Sequence, residues 1–461
     1  MKNNRLLRII YRILFVTPLI LGIGSYLYTG ESFADALYNS IRLYGLNYEK
    51  PAVPIIWLEI ARWLAPVMTA TSVIVVVKSL SSFLSVHVRT MGKNGHVVYG
   101  DSVYAEALCE NEKKAVLCKA EPISYAKNHF IMFDSELENL SFCQKYRKRM
   151  KKKNIYVCMH EMNDMLLKKL GADSKIKFFH PNDVIARSFW KERQLWMDAP
   201  QEYRIAIIGF GSLGKRLLEK SLQLNLFSVD QKVQYYIFGD AKHFRVSHSH
   251  TGMQLMNQDQ LLFFDENSEE QWEQLENMDM IILTENTDMD LIQKVLYSSK
   301  PTCEVYYYSP KVDKLCDFIE TDRLYPYGRM DKVFTLENIK TDKLYQNAIE
   351  LNQQYVERYH SAEWEELNGF LRNSNISAAD YGEVIRALLQ KGVSDTELAE
   401  LEHIRWCRFS FLHYWKYGVP ENGRNKDEDK KIHKCLVPFG ELEAVEKEKD
   451  LEVIQMWKNV Q

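Results

Sequence analysis

Two groups of residues have the types and spacing for ligand chemistry. The first is Gly209-Phe210-Gly211-Ser212-Leu213-Gly214, preceded by the apolar run Ile205 to Ile208 and followed by a helical pattern at Leu213, Leu217, Leu218 and Leu222. This order predicts strand, tight turn, helix. The first glycine permits the turn, the second lets backbone approach a pyrophosphate, and the third lets the helix pack on the strand with its N-terminus aimed at anionic oxygens. Gly209, Gly211, Ser212 and Gly214 are therefore candidate nucleotide- or dinucleotide-binding residues, although the same turn also serves sheets that hold no ligand. Asp240 follows the next predicted strand, about thirty residues beyond the turn. A carboxylate in that place binds ribose hydroxyls when it lies about twenty residues on; the longer spacing fits a solvated loop aspartate equally well.

The second group lies near the C-terminus. On a helix, Glu402, Arg405 and Trp406 fall at three- and four-residue spacing and share a face, with His403 one residue round. Trp415 and Tyr417 read as closing that helix before Gly418. Aromatic faces stack a base, an arginine forks onto phosphate, and a histidine adds a hydrogen bond. Lys431 and His433 complete the candidate set, Lys431 ending a charged loop, Glu421 to Lys431, that reads most simply as solvated. The competing reading makes Trp406, Trp415 and Tyr417 core and pairs Glu402 with Arg405 within the helix. The ligand class is nucleotide-type: NAD, ATP, ADP-ribose or a cyclic nucleotide.

Chemistry beyond binding is hard to find. There is no Tyr-xxx-Lys pairing after a fourth strand, no nucleophile elbow and no HExxH, and His129, His160, His180, His243, His248 and His250 are dispersed. The segment His248 to His250 reads as a flexible loop. Eight cysteines without CxxC or Cys/His spacing argue against a disulfide framework or a metal site. A net charge of only -3 gives no basic field for nucleic acid. The expectation is a protein that is not an enzyme and has no catalytic or metal residues; a membrane-tethered NAD-dependent enzyme is the rival reading, and a scaffold without small-molecule ligand a third.

The elements that would position these groups begin with a membrane anchor. Residues 13–30 carry no charge and follow Arg5, Arg8 and Arg12, and a second apolar segment spans 57–84. Each is long enough to cross a bilayer. Basic residues at the outer ends of this hairpin place both termini, and the bulk of the chain, in the cytoplasm, so the inner membrane is the expected location. Between the spans, Ala34, Leu37, Ile41 and Leu43-Tyr44 form a short amphipathic pattern that ends at Gly45. That order of span, short helix, span resembles two-helix potassium channels, which makes Leu43, Tyr44 and Gly45 candidate pore residues. The filter Thr-Val-Gly-Tyr-Gly is absent, so potassium selectivity is not implied. The alternative is an interfacial helix that anchors the hairpin.

After the hairpin, strand-like and helical stretches alternate twice. His96–Tyr99, Ala115–Leu117, Phe130–Phe133, Ile155–Cys158 and Ile176–Phe179 predict one doubly wound parallel sheet, whose glycine turn is degraded to Gly100, Ser102 and Ala105. Arg204–Ile208, Gln234–Phe238, Leu261–Phe264, Met280–Leu283 and Val305–Tyr308 predict a second. From Lys340 the pattern reads as wholly helical. The fold class is thus α/β plus membrane: a hairpin (1–90), a degenerate Rossmann domain (91–200), a second Rossmann domain with the glycine turn (201–338) and an all-α module (339–461).

A hairpin followed by tandem Rossmann domains resembles the channel-regulating RCK proteins of TrkA-N type, over about residues 1 to 335. The helical module resembles the RyR domain, named after ryanodine receptors, on Trp364, Leu367, Ser374-Asn375, Glu402-His403, Arg405-Trp406, Trp415, Tyr417-Gly418, His433, Leu436-Val437-Pro438 and Lys449-Asp450. Lys434 stands where that family usually has proline. The resemblance implies a homo-oligomer, commonly a homo-tetramer, that couples ligand binding in a cytoplasmic ring to the pore helices. The function to expect is a ligand-gated membrane effector or channel, in the setting of bacterial anti-phage nucleotide signalling. A housekeeping potassium channel or uptake component sensing adenine nucleotides is the alternative within that class.

Overall fold

A computed structural model describes every residue except 1, 52, 91–94, 119–121, 161–175, 249–254, 265–271, 285–287, 312–318, 320, 422 and 460–461. The chain forms two compact units, Met1–Met91 and Gly92–Gln461.

The first unit is α1 (Lys2–Tyr28), α2 (Phe33–Leu43) and α3 (Ile56–Thr90). Two stretches, Tyr11–Tyr28 and Ile56–Lys78, are long and apolar enough to cross a membrane. Only 22% and 17% of them is buried, the reverse of a core helix, and Ile20, Trp63 and Val76 stand exposed. The first helix starts earlier than the apolar run and ends at Tyr28, and the second runs on to Thr90, because helix propensity does not stop where hydropathy does. The Tyr11 and Ser72 hydroxyls, 2.6 Å apart, tie α1 to α3. Ser32 caps α2 by accepting from the Asp35 amide.

The second unit holds two parallel sheets. Strands β1 (His96–Tyr99), β2 (Ala115–Leu117), β3 (Asn128–Ile131), β4 (Asn154–Cys158) and β5 (Ile176–Phe179) lie in the order β2-β1-β3-β4-β5. Helices α4 (Val103–Asn111) and α5 (Glu136–Tyr146) connect strands of this sheet, and α6 (Pro181–Glu192) leaves it. The second sheet is β6 (Glu202–Ile208), β7 (Lys232–Phe238), β8 (Gln260–Phe264), β9 (Met280–Leu283), β10 (Glu304–Tyr308) and β11 (Leu324–Tyr327), in the order β11-β10-β9-β6-β7-β8. Counted from its own first strand this is 3-2-1-4-5-6, the dinucleotide-fold order. The first sheet has no described counterpart of β8. Helix α7 (Ser212–Leu224) follows β6, and α8 (Met289–Ser298) precedes β10. The buried face of α7 is Leu213, Leu217, Leu218 and Leu222, as its periodicity requires.

The C-terminal module is α9 (Asp342–Tyr359), α10 (Gly369–Gln390), α11 (Asp395–Leu412) and α12 (Ala444–Asn459). It is not wholly helical. Between α11 and α12, two-residue strands β12 (Lys416–Tyr417), β13 (Lys426–Asp427) and β14 (Ile432–His433) form a small sheet. Helix α11 also ends at Leu412, not at Tyr417, because Tyr414 takes φ +68° and turns the chain away.

This module is bolted to both Rossmann domains by buried charge. Asp380 of α10, its side chain 2% exposed, meets Arg187 at 2.7 Å, Lys191 at 3.8 Å and Lys220 at 3.3 Å. These cations, Arg187 first, hold its carboxyl far below the usual range against the burial that would raise it. Arg408 is fully buried and spends its donors on the Leu255 and Leu222 carbonyls, Asn257 and Asp259. A buried charge is tolerable only when so completely satisfied.

Candidate functional site

The glycine turn stands at the C-terminal end of β6, beside the crevice where the strand order reverses between β6 and β9. Gly209 takes φ +90° and its amide donates to the Phe238 carbonyl at 3.0 Å. A Cβ on Gly214 would sit 2.2 Å from the Gly209 carbonyl oxygen, so only glycine lets α7 approach the strand. Gly211 is the N-cap of α7 and offers no side-chain cap. The first-turn amides of α7 therefore have no side chain of their own cap residue competing with an anion. Thr284, at the end of β9, donates to the Gly209 carbonyl and closes the crevice floor.

Ser212 is exposed, and its hydroxyl accepts from Asn182 of α6 at 3.0 Å, leaving its own proton to donate. Asn182 is thus a first-domain residue at the turn that sequence reading missed; nothing local in the sequence marks it. Asp240 emerges at the end of β7, on the same sheet edge as the turn, and is exposed. Its Oδ1 accepts from the Lys242 amide at 3.1 Å, a local turn bond that leaves its other oxygen free for a hydroxyl.

The first domain has the same turn with different chemistry. Gly100 is retained, since a Cβ there would meet the Met132 carbonyl at 2.1 Å. Ser102, fully buried, donates to that carbonyl at 2.6 Å and accepts from the Ala105 amide at 3.2 Å. The helix caps itself, and the anion site is filled by its own hydroxyl.

The C-terminal residues gather around a cleft of about 500 Å³ walled by α9, α10, α11, α12 and the small sheet. Glu402, His403, Arg405, Trp406 and His433 line it, together with Asn375, Lys449 and Asp450. Trp415, Tyr417 and Lys431 do not. Trp415 packs on Phe370 and Leu436 in a separate apolar cluster, Tyr417 is exposed on β12, and the Lys431 ammonium donates to the His413 carbonyl at 3.0 Å.

Arg405 is not placed to fork onto a phosphate. Its Nε and Nη2 grip both oxygens of Glu402 at 2.8 and 2.7 Å, and Nη1 donates to Ser377 at 2.8 Å. The intrahelical pair that competed with the ligand reading is the one formed, and it serves as the buried floor.

The two histidines of the cleft are held in opposite states. His403 Nε2 lies 2.8 Å from the Val437 carbonyl and Nδ1 lies 3.3 Å from the Asp450 carboxylate, so both nitrogens face acceptors. Burial disfavours the charged ring, but the bonds to Asp450 and Cys407 outweigh it and lift its pKa to about 11. The same burial pushes Asp450 upward; imidazole is the stronger base by roughly 2.5 pKa units, so the shared proton sits on the ring. His433 is pushed down to about 4, by burial first and by Lys426, Lys449 and His403 beside it. Its Nδ1 accepts from the Cys435 amide at 3.1 Å, which leaves Nε2 as the proton-bearing nitrogen.

Cys407, His403 and Asp450 are strung like a thiol triad, with Cys407 Sγ 3.4 Å from His403 Nε2. The thiol is 0% exposed and burial raises its pKa, so no substrate reaches a thiolate there. The other described cysteines are free thiols as well; Cys316 and His250 lie outside the described residues. His248 is buried and bonded to the Phe244 carbonyl, and no group of three metal-ligating side chains occurs among the described residues.

What remains open in the cleft is Trp406, half-buried and edge-on to His433 at 5.0 Å, with Tyr355 and Asn375 on the facing walls; the cations Lys426 and Lys449 are paired with Glu428 at 2.8 Å and Glu446 at 2.8 Å. A second concavity, about 780 Å³, is an apolar groove along α3 formed by Ile56, Ile60, Trp63 and Val67, a surface suited to lipid or another chain.

In the hairpin, α2 turns back between the two long helices. The Tyr44 phenol donates to the Phe15 carbonyl, and Thr69 donates to the Tyr44 carbonyl at 3.0 Å. Phe15 and Thr69 each stand about 20 Å along their helices from the ends that the loop joins, at 1.5 Å per residue. The chain then climbs back: the Tyr26 phenol, near the loop end of α1, donates to the Glu49 carbonyl at 3.3 Å. Leu43 is buried against α1 and α3, while Gly45, Leu46 and Asn47 are exposed on the returning limb.

No family model matches the sequence, and no curated protein sequence matches it. Among solved structures, the chain is similar to GsuK bound to ADP at 12% identity and TM-score 0.32, over 77% of this chain and 97% of that one. The GsuK channel gives the same values. A dipicolinate synthase chain from Bacillus halodurans is similar at 11% identity and TM-score 0.25, over 55% of this chain and 97% of that one.

Proposed function

We propose that this protein is a membrane effector whose pore opens when a nucleotide-type ligand binds its cytoplasmic domains. The observation that carries the pore is the re-entrant limb: a descending stretch, α2 and Tyr44 after it, that reaches about 20 Å along two apolar helices, and an exposed segment that returns. An interfacial anchor would lie across the helix ends instead. In a bilayer with about 30 Å of hydrocarbon, backbone at that depth is tolerated only where protein or water satisfies it, and several hairpins assembled around the returning limbs supply both. A homo-oligomer, a tetramer on the resemblance to RCK proteins, follows.

Two places suit the ligand. The uncapped turn of α7, with Ser212, Asn182 and Asp240 around it, fits a pyrophosphate and ribose. The RyR-like cleft fits a planar base against Trp406 and Tyr355, with Asn375 for its edge; a phosphate there would draw Lys426 and Lys449 from their partners Glu428 and Glu446. They are joined by α7 itself, since Gln223 near its end accepts from Ser377 at 2.6 Å, and Ser377 accepts from Arg405. A ligand that favours the open state by about 3 kcal/mol shifts the equilibrium over a hundredfold. Anti-phage signalling, in which such a pore would depolarise the infected cell, is the biological setting we favour.

Ion flux from proteoliposomes containing the full chain tests this reading, run with ADP, ATP, NAD, ADP-ribose and cyclic AMP in turn. Flux that appears with one ligand and is lost in Trp406→Ala or Gly211→Ser supports it and says which place binds. Flux without any ligand points to a constitutive channel. Absence of flux under every ligand would return the choice to a tethered enzyme or scaffold.

A further inference from the structure

The re-entrant limb is tied together by one charged side chain. Arg42, in the last turn of α2, donates from Nη1 to Glu49 Oε2 at 2.8 Å and to Asn39 Oδ1 at 3.0 Å. Its Nη2 donates to Asn47 Oδ1 at 2.9 Å. The descending helix thereby holds two residues of the ascending segment. The partners are unequally placed: the Arg42 side chain is 28% exposed and the Glu49 side chain 64%. Glu49 thus presents a carboxylate on the open side of the limb, at the level where it regains the loop end of α1. Arg42 sits behind it. Of the other charges in the loop, Glu31 accepts from Asn39 at 2.9 Å and Asp35 from the Ser32 hydroxyl at 2.6 Å, both at the start of α2, and Lys50 follows Glu49.

We infer that the Arg42–Glu49 pair sets the ionic preference of the pore, with Arg42 cancelling a carboxylate ring that would otherwise select cations. This rests on the pore reading above. Rings of charged side chains fix the sign of permeant ions where backbone carbonyl rings do not, and the potassium filter sequence is absent here. Assembly by rotational symmetry repeats the pair once per protomer at the mouth. An unpaired charge within about 8 Å of the ion path changes local ion concentration about twofold even in a water-like medium, and several copies compound the effect. The same residue is a positioning group, because its bond to Asn47 fixes the ascending backbone.

The test is the reversal potential of the full chain in planar bilayers under a potassium chloride gradient, opened with whichever of ADP, ATP, NAD, ADP-ribose or cyclic AMP activates it. Arg42→Gln, which frees the carboxylate, is expected to raise the potassium-to-chloride permeability ratio at least about twofold. Glu49→Gln keeps an acceptor for Arg42, so the limb stays folded, and is expected to lower the ratio by a similar factor. Arg42→Lys retains the charge and is expected to leave it unchanged. Equal ratios in wild type, Arg42→Gln and Glu49→Gln overturn the inference while leaving the pore standing. A wild-type chain that conducts under no ligand overturns the pore reading and this inference with it.

Discussion

The two Rossmann domains of this chain follow the same path from strand to turn to helix, and they differ in what occupies the turn. Both need glycine at the first position, Gly100 at φ +139° and Gly209 at φ +90°. At the second, the first domain has Ser102, whose hydroxyl caps its own helix, and the second has Gly211, which caps nothing. At the third, Ala105 is accommodated fully buried, whereas Gly214 lies against the Gly209 carbonyl. The lesson is that a hydroxyl in place of the second glycine satisfies a first-turn amide from within the chain, where the glycine leaves it to another partner. A domain so altered is free to become structure, and the first one contributes Asn182 to its neighbour's turn.

The largest expected difference lies at the third position. Gly214→Ala places a methyl 2.2 Å from backbone oxygen and should cost about 3 kcal/mol, since overpacking a tight helix–strand contact forces backbone to move. Ala105→Gly should cost only about 1 kcal/mol, the propensity and packing of one methyl. Urea unfolding of the two variants measures both, and equal losses would mean the turns are not different in kind.

Acid should separate the domains next. His129 is 0% exposed in the centre of the first sheet, where the second sheet has Ile281. Burial lowers its pKa to about 4, below the ordinary 6.5. The unfolded chain therefore takes up a proton first, so its contribution is intact above pH 6.5 and is lost as pH falls from 6.5 through 4. The loss approaches about 3 kcal/mol, at 1.36 kcal/mol per pKa unit. His129→Gln should flatten the fall in urea midpoint between pH 7 and pH 4.5; an unchanged pH profile would show that other groups govern it.

The caps give the smallest effect on stability. Ser102→Ala removes a hydroxyl that satisfies one orphan amide and should cost about 1 kcal/mol, and Gly211→Ser should stabilise by a few tenths at most. Thermal unfolding of the pair reads this directly, and a gain above that in the second would mean its turn already lacks a partner it needs.

Much of this architecture was legible in the chain because parallel strands buried on both faces are short apolar runs between turns. The run Met280–Leu283 is a strand on composition alone, and the leucines of α7 announce its face. Strand β11 was not legible: Pro326 sits inside it, and proline in a run argues for an edge, which is where β11 lies. The two-residue strands of the C-terminal module are below any periodicity. The helix holding the candidate site was read five residues too long, since Trp415 and Tyr417 continue an aromatic pattern while the backbone has already turned at Tyr414. Residue types likewise announced Arg405 as a phosphate fork, and only its bidentate grip on Glu402 shows that the fork is taken. Asn182, in the first turn of α6, and Thr284, at the end of β9, reach the glycine turn from other elements, contacts that tertiary structure makes and local sequence does not carry.

Whether the second turn is open to ligand and the first closed is read by equilibrium binding of radiolabelled ADP and NAD to the purified full chain. The comparison is between wild type, Gly211→Ser and Ser102→Gly. Wild type and Ser102→Gly are expected to bind, and Gly211→Ser is expected to lose at least about tenfold in affinity, equivalent to one charge-assisted hydrogen bond. Affinity unchanged in Gly211→Ser but diminished in Ser102→Gly would contradict it.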